Sequence, residues 1–178
     1  MQQRLIFSGL TSTDKYNVWF TKLSELINSN YLTIDQLDFV TNLRSFLTIE
    51  LFEIGDENIE LLDNFIDSLW DIGSSHFEDF ELYYIFMELD NSMLFGLWDD
   101  YDNTIQALAG PGPYASSDRC GCRTNSSWTC GRIKRIDGSR TSGGIELDWG
   151  DCMDIICVGT AWGCGGFWAY RCDGLCSH

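Results

Sequence analysis

Before residue 120 the chain has no cysteine, and its full 178 residues hold only two prolines and two histidines. Without thiols, residues 1–119 can carry neither a disulfide nor a thiolate metal site. Only His76 and His178 could serve as imidazole bases or ligands, which disfavours histidine-based catalysis and histidine-rich metal centres. Basic residues are scarce in residues 1–114, with 4 Lys and Arg against 20 Asp and Glu, whereas residues 115–178 hold 7 of each sign. The whole net charge of −16 thus falls on the first part, and such a field repels nucleic acid and anionic lipid. No apolar run nears the roughly 18 residues of a transmembrane helix. The N-terminal stretch from Met1 to Gly9 has too short an apolar run for a signal peptide.

Several chemical motifs are missing as well. There is no Glu-x-x-His of a di-iron bundle, no Gly-x-Ser-x-Gly elbow, no phosphate-binding glycine loop and no Cys-x-x-Cys zinc pair. No catalytic residue, cofactor or metal is expected. Asp63, Asp67 and Asp71 recur at i, i+4 and i+8, which reads as a solvated helix face rather than a calcium or acid–base site. Asp148, Asp151 and Asp154 lie near Cys152 but lack the glycine and distal glutamate of a calcium loop.

What is present divides at one place. From Thr13 to Ala109 the apolar period is helical. Val18, Leu23, Leu26 and Ile27 share a face with Trp19 and Phe20 beside them. Thr33 with Gln36 forms a capping box ahead of Ile34, Leu37, Val40, Leu43 and Leu47. A third helix is expected over 57–72, with Gly73 as its C-cap. Ser75 with Glu78 reads as a second capping box, opening a helix with Phe77, Phe80, Leu82, Tyr84, Ile85 and Leu89. A fifth helix is expected over 92–108. Gly110-Pro111-Gly112-Pro113 then breaks the pattern. The expected organisation is an acidic helical domain over 1–109, a linker over 110–117 and a cysteine-rich domain over 118–178. The fold class is α+β, a helical bundle followed by a small disulfide-rich β module.

All eight cysteines, Cys120, Cys122, Cys130, Cys152, Cys157, Cys164, Cys172 and Cys176, fall in 57 residues. That density and the even count are those of small secreted scaffolds, so full disulfide pairing and an extracytoplasmic, secreted or cell-surface location are expected. Strands are expected at 145–149, 153–158 and 166–172, bounded by glycine. The segment Arg132–Gly144, with Lys134-Arg135, reads as an exposed, protease-accessible loop. Trp128, Trp162, Phe167, Trp168 and Tyr170 are candidate target-binding residues, able to stack on a ligand or to fill a small stapled core. The helical half, lacking cysteine, is expected to be indifferent to reductant.

The Cys120-Gly121-Cys122 opening, Gly159-Thr160-Ala161 before Gly163-Cys164-Gly165, and Trp168-Ala169-Tyr170-Arg171-Cys172 together resemble the fulvocin C-related bacteriocin family over residues 120–176. The resemblance implies an exported antibacterial protein, with a bacterial cell-surface target and the helices as pro-region or carrier. The alternative from the same residues is a non-toxic module docked on a cell-envelope protein, such as an outer-membrane assembly.

Overall fold

The computed structural model describes residues 6–53, 59–91, 94–95, 131–135, 145–149, 151–153, 160–164, 166–172 and 175–177. After a helical turn at residues 6–8 come α1 (Ser12–Ile27), α2 (Ile34–Phe46), a 3-10 turn (Ile49–Phe52), α3 (Ile59–Gly73) and α4 (Asp79–Met87). The described residues of the C-terminal part hold β1 (Gly131–Arg135), β2 (Ile145–Trp149), β3 (Asp151–Met153), β4 (Thr160–Cys164), a second 3-10 turn (Gly166–Trp168), β5 (Tyr170–Cys172) and β6 (Leu175–Ser177). The strands pair antiparallel as β1–β2, β3–β6 and β4–β5.

The N-terminal half is helical, for reasons visible in its caps. Thr11 opens α1 by accepting from the Asp14 amide. Thr33 and Gln36 form the expected reciprocal box at α2, which satisfies two of the amides left orphaned at a helix start. At α4 the box sits three residues later than expected: Glu78 is the N-cap and Glu81 reaches back to its amide at 2.8 Å. The reason is local. His76 and Phe77 amides both return to the Gly73 carbonyl, so the α3 exit turn extends through them. Gly73 is itself the last helical residue, and its role is close approach. A Cβ there would stand 2.8 Å from both Leu82 Cδ2 and Phe39 Cζ.

The core gathers α1, α2, α3 and α4, and α4 is buried at every position from Glu81 to Met87. Two expected faces are corrected. On α1 the buried stripe is Lys15, Trp19, Lys22, Leu23 and Leu26, while Val18 and Ile27 are half-buried. On α2 the stripe is Phe39, Val40 and Leu43, leaving Ile34 and Leu37 exposed in the first turn, beyond the core. Asp63 is buried beside Leu62 and Ile66, so the expected solvated acidic face holds only at the exposed Asp71, with Asp67 half-buried.

The C-terminal part departs from expectation at three points. Residues 132–135 belong to β1, paired antiparallel with β2 from Arg132 opposite Asp148 to Arg135 opposite Ile145; residues 136–144 of the expected loop lie outside the described residues. Of the strand expected at 153–158, Met153 ends β3 and 154–158 lie outside. The strand expected at 166–172 begins only at Tyr170, since Gly166, Phe167 and Trp168 form a 3-10 turn instead. The linker at 110–117 and the fifth helix lie outside the described residues except for Leu94 and Phe95. Leu94 is fully buried, and Phe95 stacks on Tyr31 with ring centroids 5.1 Å apart.

Candidate functional site: the seam between helices and tail

The same hydrophobic core that holds the four helices also contains Cys164, Phe167, Trp168 and Ala169. The turn at Gly166–Trp168 enters that core. Phe167 meets Trp19 edge-on at 5.2 Å and lies 5.1 Å from Phe86. Trp168 stands perpendicular to Phe7 at 5.4 Å and to Trp19 at 6.2 Å. Both rings are 1% exposed, so neither can touch a second molecule while this packing lasts. Gly166 allows the approach: a Cβ there would lie 2.9 Å from Ile66 Cδ1 on α3.

The backbone of this turn is strained. Phe167 and Trp168 are consecutive at φ 55° and 54°, the left-handed region that bulky residues avoid. Each such residue costs about 1–3 kcal/mol. Burying a large apolar side chain returns about 1.5–3 kcal/mol, and an edge-on aromatic pair adds about 0.5–1.5 kcal/mol. Strain and burial are of one size, so the conformation depends on the helical core that receives it.

The floor of the seam is the C-terminal end of α4, whose last carbonyls have no partner within the helix. Lys22 Nζ donates to the carbonyls of Tyr84 at 2.5 Å and Ile85 at 2.6 Å. Trp168 Nε1 donates to the Met87 carbonyl at 2.7 Å. One helix end is thus capped by a lysine from α1 and a tryptophan from the tail. Lys22 lies 4.7 Å above the Trp19 ring and is wholly enclosed. Desolvation holds its ammonium well below the ordinary lysine range, with Glu88 opposing. Burial, together with the Glu88 charge, pushes the Tyr84 phenol up. Asn91 donates to the Lys22 carbonyl at 2.9 Å. Among the described residues, Asn91 Oδ1 and Trp19 Nε1 are buried without a partner.

Of the five aromatic candidates, able to stack on a ligand or to fill a core, Phe167 and Trp168 are buried in the intact chain. They fill a core, and that core belongs to the helices. Trp162 lies in β4 and Tyr170 in β5; Trp128 lies outside the described residues. Cys152 and Cys164 are both disulfide-bonded. Cys172 and Cys176 lie in β5 and β6, and Cys120, Cys122, Cys130 and Cys157 lie outside. Among the described residues no cluster of His, Cys, Asp and Glu could hold a metal, and no helix is long and apolar enough to cross a membrane. The burial of Lys15 and Lys22 was not expected, because lysine is ordinarily a surface residue. Their spacing with Trp19, Leu23 and Leu26 was the signal, since i, i+4, i+7, i+8 and i+11 is one helical stripe.

No family model, curated protein or solved structure matches the chain.

Proposed function

We propose that the chain is a bacteriocin-like extracytoplasmic protein whose helical part is a pro-region, sheathing the aromatic pair of a β-rich, disulfide-stapled tail until the two are separated. The observation that supports this reading is the burial of Phe167 and Trp168, in strained backbone, inside a core supplied by another part of the chain. A pair held this way is unavailable in the intact chain and becomes available when the helices leave. The two unpaired polar atoms at the seam, costing about 1–3 kcal/mol each, also favour a junction that can part.

The test compares three samples on a panel of related bacteria: the intact chain, the oxidised 115–178 fragment, and that fragment mixed with residues 1–110. Killing by the fragment, weak killing by the intact chain and inhibition on adding the helices is the expected pattern. The second reading is a non-toxic interaction module on a cell-envelope protein. Trp168 capping α4 favours it, because a side chain that satisfies a helix end also suits a permanent structural role. A correctly oxidised fragment without activity, with the intact chain recovered in a stable envelope complex, decides for that reading.

A further inference from the structure

The cleft between α2 and α3, away from the seam, is a second feature of the helical part. It has a volume of about 300 Å³. Phe39, Leu43 and Leu69 form its buried floor, and Phe46 and Ile72 stand on its walls. Those two side chains are 50% and 56% exposed. Asp35 and Asp38 line the mouth, both exposed. Asn42 donates to the Asp38 carboxylate at 3.3 Å. Gln36 ties the start of α2 to the carbonyl of His76, beyond the end of α3, at 2.8 Å. That bond and the Thr33 capping box fix one end of the groove without any ligand.

We propose that this cleft is a docking groove for a cationic amphipathic helix of another protein. The lining runs from residue 35 to residue 46 of α2, which at 1.5 Å per residue spans about three helical turns. A helix of that length offers apolar anchors at i, i+3, i+4 and i+7 to the floor and walls. Its charged flank would meet Asp35 and Asp38. Charge selects the partner: residues 1–114 carry all of the −16, which attracts a basic segment and repels both a second copy and an anionic membrane. The groove is independent of the tail and of whether the tail kills.

The probe is a fluorescently labelled Lys/Leu peptide of about 12 residues, roughly three turns, with leucines at i, i+3, i+4 and i+7. Its control has the same composition in scrambled order. Anisotropy titration of the full chain should show binding of the amphipathic peptide, weaker binding of the control, and loss of affinity with added salt. Ile72→Ser should weaken binding on the order of tenfold, the size of a hot-spot loss. Asp35→Asn with Asp38→Asn should weaken binding at low salt and change it little at high salt. Both sites are on the surface, and circular dichroism of each variant confirms the helices. Equal binding of the scrambled peptide, or indifference to Ile72→Ser, overturns the proposal. So does self-association that Ile72→Ser removes, or adsorption to anionic vesicles that it abolishes.

Discussion

Helix α4 and the turn at Gly166–Trp168 are buried side by side, yet the chain reaches burial in opposite ways. In α4 the backbone is regular, its start is capped by its own side chains, and every residue from Glu81 to Met87 is inside. In the turn two bulky residues take left-handed backbone angles, and one of them borrows a carbonyl from α4. The first segment needs its neighbours for packing and for partners to its last carbonyls, but not for its backbone conformation. The second needs them to exist in that conformation at all. Burial by period is a property of a segment, whereas burial by strain is a property of a junction.

Removing the borrowed contact should produce the largest effect. Trp168→Ala deletes a fully buried ring and leaves the Met87 carbonyl unpartnered, so a loss of about 3–5 kcal/mol is expected. Urea denaturation followed by helical circular dichroism measures it. Trp168→Phe keeps a ring but cannot donate, and should restore part of the loss. A loss below about 1 kcal/mol for the alanine variant would mean that the tail does not share the helical core.

Reduction should come next. Cysteines are confined to the tail, but Cys164 is disulfide-bonded and lies in the same core as Trp19 and Phe86. A staple is worth about 2–4 kcal/mol, and part of that should reach the helices through the turn. The helical unfolding midpoint should therefore fall on adding reductant, against the indifference expected from the sequence. An unchanged midpoint would separate the two regions energetically.

Lys22 sharpens the comparison through pH. Its folded-state pKa is lowered from 10.5 by desolvation, so between that depressed value and 10.5 the unfolded chain holds one more proton than the folded chain. Stability then rises with pH across this window, by at most about 1.4 kcal/mol per pH unit. Tyr84 acts in the opposite sense above its ordinary value of 10.0, because its folded pKa is raised and the unfolded phenol ionises first. Midpoints from about pH 7 to 9.5 avoid that range. The intact chain should gain stability along the series, and Lys22→Met should flatten the gain. Parallel slopes for the two proteins would show that Lys22 is charged when folded.

The parts of this molecule that were legible in the sequence are those governed by local rules. The Thr33–Gln36 box and the helical period of α3 follow from side chain and spacing within a few residues. The seam was not legible, because each of its features depends on a distant partner. Trp168 reads as a strand residue, since aromatic residues favour strands. Only the α4 carbonyls, 81 positions away, make its left-handed turn worthwhile. The place of Lys22 on the buried stripe of α1 follows from its spacing, but nothing near it in sequence announces the carbonyls of residues 84 and 85.

The smallest effect tests the seam most directly. Gly166 sits against Ile66, and an added methyl would come within 2.9 Å of Cδ1 and 3.0 Å of Cγ2. These atoms end a side chain that is itself fully buried, so they can move only by disturbing α3. Gly166→Ala should therefore cost about 1–3 kcal/mol, as overpacking does. Ile66→Val removes Cδ1 and should cost about 0.5–1.5 kcal/mol alone. If the two residues touch, the double variant should be more stable than the sum of the single losses predicts, because valine vacates the space that the methyl needs. Residues in contact couple by about 0.5–3 kcal/mol, whereas distant ones add to within about 0.5 kcal/mol. The positions are one hundred apart in sequence and lie on opposite sides of the Gly-Pro segment, so local structure cannot couple them. Strict additivity in equilibrium denaturation would remove the turn from the helical core, and with it the basis for a sheathed aromatic pair.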